Sequence, residues 1–324
     1  MLIVGQGLAG TLLAWELERN GADFRMVDAG HDHAASRVAA GIINPITGQR
    51  LVKSWRIDEL LPLARAVYRD IERKLGVTVW RDMRVRRHFA NETERLVWGE
   101  KQARGELAPY GGDADQDGFW IEGAAHVDVA ALLRATRAYW QKTGRLGETR
   151  ADPATQGRDH GLVIVCTGAA LPAEPAFAFV PWAMAKGELL TVETTDLAPD
   201  VILNHGHWVL PTIPGEAKVG ATYAREVRDD DPTPAARAQL EHSARALLPR
   251  PFVVRRHETG LRLTLPDKCP VVGRSPHDSN LGVLAGLGSK GVLLAPWLAR
   301  QWWNHLSEGV PFDPQVNVGR FWPG

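Results

Sequence analysis

Leu2-Ile3-Val4-Gly5-Gln6-Gly7-Leu8-Ala9-Gly10-Thr11-Leu12-Leu13-Ala14-Trp15-Glu16-Leu17 runs from an apolar triplet through a Gly-x-Gly-x-x-Gly turn into a helical pattern. Leu2 to Val4 reads as a strand, and Leu12, Leu13, Trp15 and Leu17 supply a helix with its apolar residues before Gly21 closes it. Each glycine has its own reason to be there. Gly5 permits a tight turn, Gly7 lets backbone approach a pyrophosphate, and Gly10 lets helix and strand pack closely. Leu8 and Ala9 then fall in the first helical turn, whose N–H groups and dipole favour phosphate. Phe24, Met26 and Val27 form a second strand ending at Asp28, about 20 residues on, where an acid hydrogen-bonds an adenosine ribose. The triplet alone is a weak signal. Strand, helix and acid together predict the first half of a dinucleotide-binding βαβ unit, against the rival reading of a glycine turn with a surface aspartate.

The rest of the composition narrows the classes. The 324 residues suit one or two domains. Lys+Arg and Asp+Glu both total 38, so no bulk charge draws the chain to nucleic acid or an acidic membrane. No apolar run approaches the roughly 20 residues that span a bilayer, and no signal-peptide pattern precedes the glycine turn. The first strand is short enough to suggest a natural start a few residues upstream. Cys166 and Cys269 are too few for a disulfide scaffold and lack metal-ligand spacing, so no metal and a reducing cytoplasm are expected.

Further along, Asp58 is expected to cap a helix with Leu61, Ala64, Val67, Tyr68, Ile71 and Leu75 on one face, stopped at Gly76. Gly105 to Gly118 reads as surface loop. Asp128 is a second N-cap, before Val129, Leu132, Leu133, Thr136, Tyr139 and Trp140. Leu162 to Cys166 is wholly apolar and reads as a strand buried on both faces, turned by Thr167-Gly168. Gly187 to Ala224 has the pattern of antiparallel sheet, and helices are expected from Thr233-Pro234 and after Gly291. These signals divide the chain into a discontinuous cofactor domain (1–50, 124–180 and 256–324) and a β-rich lobe (51–123 and 181–255).

Ala35-Ser36-Arg37-Val38-Ala39-Ala40-Gly41-Ile42-Ile43 resembles the segment after the Rossmann half in the D-amino-acid oxidase and glycine oxidase (DAO) family. There it wraps the pyrophosphate and brings backbone to the flavin. Val127-Asp128 with Leu132-Leu133, Val163 to Gly168, and Val219-Gly220-Ala221-Thr222 are similar to later family segments. Gly260-Leu261-Arg262 with Asp267 to Gly273, then Ala285-Gly286 with Gly291-Val292-Leu293-Leu294-Ala295-Pro296, resemble its last two motifs. The resemblance covers nearly the whole chain and is thin between Val52 and Ala125. It implies an α/β fold, a Rossmann-type FAD-binding domain with a second antiparallel-sheet substrate lobe, and FAD as cofactor. Ser36, Arg37, Ala40, Gly41, Ile42, Val127, Thr167, Gly168, Gly286, Ser289, Lys290, Gly291 and Val292 become expected cofactor contacts beside Gly5, Gly7, Leu8, Ala9, Gly10 and Asp28.

In this family the arginine of the Gly-Leu-Arg motif pairs with a substrate carboxylate, which points to Arg262. A guanidinium fork binds both oxygens and stays charged when desolvated; a structural ion pair is the competing reading. The helix after Gly291 would aim its N-terminus at the flavin's pyrimidine edge and stabilise the charge that develops on reduction. Lys290 either adds a positive charge there or is a solvated loop lysine. The chain departs from the family at Leu263, where Pro is usual, and at Leu287, Gly288 and Ser289, where a His and often a further polar residue stand. These departures bear on the substrate, not on FAD. His31-Asp32-His33 reads as surface loop, not metal site. Cys269 reads as a small apolar residue near the flavin face. His205-Gly206-His207-Trp208 fits a hairpin as well as a pocket wall, and Lys53-Ser54-Trp55-Arg56 borders the flavin or the substrate entrance.

The implied reaction is oxidation of the C–N bond of an amino acid or amine by hydride transfer to flavin, with dioxygen as acceptor. Three rivals stand: a dehydrogenase using another acceptor, a tRNA-modifying oxidase, and a flavin-binding subunit without catalysis. The balanced charge counts against tRNA. Oligomeric state is not legible.

Overall fold

The computed structural model describes residues 1–30, 34–149, 160–225, 227 and 229–323. The His31-Asp32-His33 cluster lies outside the described residues. Strand β1 (Leu2–Val4), helix α1 (Leu8–Arg19) and strand β2 (Arg25–Val27) form the expected opening unit. β1 pairs in parallel with β2 on one side and with Val163–Val165 on the other, Ile3 opposite both Met26 and Ile164. Central position explains the uninterrupted apolar runs: all three residues of β1 and of Val163–Val165 are buried.

The described residues form a six-stranded sheet ordered Val271–Arg274, Leu281–Ala285, Val163–Val165, β1, β2, Leu146–Gly147. Its pairs are parallel except the first, which is antiparallel. Helix α1, buried from Leu8 to Leu17, packs against the last helix, Gly291–Glu308. Trp302 of that helix lies across Gly282, where a Cβ would sit 2.5 Å from its ring, and donates its indole N–H to Val283 O at 3.1 Å.

The second sheet has ten strands, built mainly of antiparallel pairs. Val201–His205 and Trp80–His88 are its parallel neighbours. Ala183–Glu193 pairs along its length with Val253–Thr264, setting Arg262 opposite Ala185 and Gly260 opposite Gly187. Ile42–Ile43 joins the same sheet through Ala125 and His126. The expected boundaries at 124 and 256 therefore fall inside the strands Gly118–Val127 and Val253–Thr264.

Two local expectations are corrected, and one helix is added. Asp58 does not cap the helix Ile57–Leu75. That position is Arg56, in a left-handed conformation, and Asp58 instead pairs with Lys53 at 2.9 Å. Burial of Ile57 draws the chain into the helix two residues early, just after the Ser54 amide has bonded to Pro45 O at 2.7 Å. The stretch read as loop between Gly105 and Gly118 contains the strand Gly111–Ala114, paired with Gly118–Val127. Before it lies a helix the sequence reading missed, Glu92–Ala103, capped by Asn91, with Glu94 and Trp98 as its buried residues. The Asp128 cap stands, its Oδ1 accepting from the Ala131 amide at 2.9 Å. Among the described residues, no helix is long and apolar enough to cross a membrane.

Candidate active site

Parallel strands leave a crevice beyond their C-terminal ends. Here that crevice is a cavity of about 700 Å³, opened by Val4-Gly5, Val27-Asp28, Val165-Cys166 and Ala285-Gly286 at the ends of four strands. It extends to the face of the second sheet, where Gly187, Leu189, Trp208, Arg262 and Leu263 line it.

The glycine turn is held by main-chain contacts. Gly5 has φ +101° and its amide donates to Val27 O at 2.8 Å. A Cβ on Gly10 would lie 1.9 Å from Gly5 O, so no side chain fits there. The Asp28 carboxylate accepts from the Gln6 amide at 2.7 Å, the Gly30 amide at 3.0 Å and Arg137 at 3.2 Å. Arg137 also donates to Gln6 Oε1 at 2.7 Å. Asp28 thus lines the cavity and at the same time ties the turn to the end of β2. Helix α1 has Gly7 as its N-cap, and the Leu8 amide donates to Ser36 Oγ at 3.1 Å. Ser36 therefore takes one of the first-turn N–H groups that a helix cannot satisfy itself.

At the other end Arg262 is half-buried. Its Nη1 lies 3.4 Å from Thr222 O, and its guanidinium sits 5.7 Å from the Tyr223 ring. Among the described residues it has no carboxylate partner. Burial pulls its pKa below the usual arginine value. Its pose depends on Gly187, since a Cβ there would lie 2.0 Å from Arg262 Nη2. Nothing in the sequence marked Gly187 for this; the signal is the pairing of two strands far apart in the chain.

Most expected cofactor contacts meet at this cavity: Gly5, Gly7, Leu8, Ala9, Asp28, Ser36, Ala40, Gly41, Ile42, Thr167, Gly168, Gly286, Ser289, Gly291 and Val292. Four do not line it. Gly10 faces Gly5, and Val127 is wholly buried, its carbonyl 1.9 Å from where a Gly41 Cβ would be. Arg37 is exposed. Lys290, half-buried, lines a smaller neighbouring cavity of about 240 Å³, where burial and then Lys268 lower its pKa. That smaller cavity also takes Ser54 and Trp208, the residues that matter from the two stretches left open in the sequence. The 205–208 stretch is a hairpin turning at Gly206, with His205 exposed and His207 bonded to Ser243 at 2.8 Å. Cys269 lines neither cavity; it is half-buried, its thiol pKa raised by burial.

Known proteins share this architecture. The family model described as FAD dependent oxidoreductase (DAO) matches residues 1–302. Glycine oxidase of Pseudomonas aeruginosa is 25% identical, over 91% of this chain and 91% of that protein. A tRNA 5-methylaminomethyl-2-thiouridine biosynthesis bifunctional protein of Azoarcus sp. is 26% identical, over 96% of this chain and 58% of its own length. The crystal structure of glycine oxidase from Geobacillus kaustophilus superposes with a TM-score of 0.76 at 20% identity, covering 97% of this chain and 96% of that one. With the family model spanning the glycine turn, both sheets and most of the last helix, the chain belongs to the FAD-dependent oxidoreductase (DAO) family.

Proposed function

We propose that the protein oxidises the C–N bond of an amino acid, holding FAD along the large cavity and the substrate carboxylate on Arg262. The observation that carries this reading is Arg262 itself: a half-buried guanidinium facing the cavity with no acid beside it among the described residues. A cation left so is costly unless a ligand supplies the counter-charge.

The residues present fit FAD. The α1 N-terminus, with Gly7 and Ala9 on the cavity wall, favours a pyrophosphate, while Ser36 Oγ holds the Leu8 amide beside it. Asp28 stands at the end of β2 for the adenosine ribose. The cavity wall also contains Gly41, Gly168, Gly286 and Gly288, which let main chain lie against a planar ring. Gly291 and Val292 open an 18-residue helix whose N-terminus reaches the cavity, where it favours negative charge. When bound, FAD accepts a hydride from the carbon beside the nitrogen, with dioxygen as the proposed final acceptor. The chain's part is to orient that carbon and exclude water: Arg262 fixes the carboxylate, and Leu189, Leu263 and Trp208 wall the site. The division into a cofactor domain and a substrate lobe belongs to the same proposal, although Arg262, inside the segment 256–324 expected in the cofactor domain, stands on the second sheet.

Peroxide assays over a panel of amino acids and amines, with and without an artificial electron acceptor, test the reaction and its acceptor. Peroxide formed only from carboxylate-bearing amines supports the reading. Turnover only with the artificial acceptor makes the protein a dehydrogenase. No turnover with any amine overturns it. The tRNA reading meets 38 basic against 38 acidic residues, a poor match to a polyanion.

A further inference from the structure

The smaller cavity adjoins the large one and shares Ile42, Trp208 and Ser289 with it. Its polar wall consists of Lys290, Asn44, Asn204, Thr47 and Ser54 with the shared Ser289. Ser54 Oγ is committed to Asn44 O at 2.8 Å, and Asn44 Oδ1 accepts from the Ile46 amide at 3.2 Å, which leaves the Asn44 NH₂ as a donor. Lys290, Asn204 and Thr47 make no side-chain hydrogen bond among the described residues, and no Asp or Glu lines the cavity. Lys290, Asn44 and Asn204, each with a side-chain donor not hydrogen-bonded among the described residues, thus line one space that no carboxylate lines. Half-buried donors of this kind are ready partners for an acceptor that enters the cavity. The remaining wall, Ile202 and Leu293 with the Trp208 ring, is apolar and suits a short methylene arm. At about 240 Å³ the space takes such an arm and its head group rather than a second large ligand.

We infer that this cavity receives a second carboxylate of the substrate, so that the preferred substrate is an amino or imino acid with two carboxylates, one on Arg262 and one on Lys290. This rests on the amino-acid reading above. The shared wall of Ile42, Trp208 and Ser289 distinguishes it from an independent anion site, since on this proposal the arm of the substrate passes Trp208 from one cavity to the other. It also gives Lys290 a role other than tuning the flavin.

Isothermal titration of the FAD-loaded protein with two unreactive ligands, glutarate and butyrate, tests the inference. Glutarate should bind once per chain and about 10- to 100-fold more tightly than butyrate, the worth of one charge-assisted contact. Lys290→Met and Lys290→Gln should each abolish that advantage and leave butyrate affinity unchanged, with the flavin midpoint potential measured in parallel. Equal affinity of the two ligands for the wild type would overturn the proposal. So would an advantage that survives both variants, whatever happens to the potential, or two butyrates filling the two cavities as tightly as one glutarate. Arg262→Met reports on the other reading separately. If it leaves both ligands unaffected, the carboxylate anchor at Arg262 fails, while the glutarate advantage and its loss in the Lys290 variants still decide the second cavity.

Discussion

At the glycine-turn end of the large cavity the walls are main chain, whereas at the Arg262 end they are side chains brought together by strand pairing. Gly5, Gly10 and Gly41 are fixed by backbone atoms, with no room for a Cβ: Gly10 would meet Gly5 O and Gly41 would meet Val127 O, both at 1.9 Å. Arg262, Gly187, Leu189 and Trp208 come from three strands of the second sheet and line the other end, where substitution can alter them one at a time. Main-chain walls suit a part of the ligand shared by every FAD protein. Side-chain walls are where substrate choice resides, which is why family membership fixes the cofactor and leaves the substrate open.

The largest effect that would sharpen this contrast is expected from Gly10→Ala. The new methyl would overlap Gly5 O and force α1 off β1, so the protein should lose FAD and at least about 4 kcal/mol of stability, read by thermal unfolding and flavin release. A variant that keeps FAD and its Tm would mean that the turn is not held by main-chain contact.

Gly187→Ala is the counterpart at the other end. Its methyl would occupy the Arg262 guanidinium position, so affinity for unreactive carboxylates should fall by about 2–4 kcal/mol while FAD stays bound. Loss of FAD in this variant would break the comparison, because the two ends would then not be separable.

His126, on the strand that pairs with Ile42, is buried outside both cavities. Burial first, and then Arg81, whose Nε donates to its Nδ1 at 3.3 Å, push its pKa down to about 4 from the ordinary 6.5. The unfolded chain takes up this proton near the ordinary value and the folded chain only near the depressed one. Stability should therefore rise with pH across that window and be lost as acid moves through it, by up to about 3 kcal/mol. His126→Gln should flatten that limb of the stability curve; an unchanged acid limb would assign it to other groups. The smallest effect is expected from Arg137→Ala, which leaves Gln6 and Asp28 their mutual bond and removes one partner of each. It should weaken FAD by about 1 kcal/mol in a binding titration; a loss as large as that of Gly10→Ala would make Arg137 a keystone of the turn.

The contrast also explains what could be read beforehand. The glycine turn, Asp28, the buried strand Val163–Val165 and the helix after Gly291 announce themselves because their causes are local: spacing, periodicity and backbone need. Arg137 beside Asp28, Gly187 beneath Arg262 and Lys290 in a second cavity have causes in register and packing, which a linear pattern does not carry. The helix Glu92–Ala103 escaped for a related reason. It buries only Glu94 and Trp98 and leaves Leu96 exposed, so it shows no apolar stripe to count. Asp58 misled because tertiary burial of Ile57 moved the helix start ahead of a good capping residue.

The central claim is that a substrate carboxylate sits on Arg262 while FAD is held elsewhere by main chain. Anaerobic titration of FAD-loaded wild type and Arg262→Ala with amino acids and their decarboxylated amines, following oxidised-flavin absorbance, tests it most directly. The wild type should be bleached by at least one amino acid. Arg262→Ala should keep its FAD but need that amino acid at concentrations higher by a factor equivalent to about 2–5 kcal/mol, with Arg262→Lys recovering part of the loss and the amines little changed. Identical titrations of wild type and Arg262→Ala, or equal weakening for amino acids and amines, would contradict it.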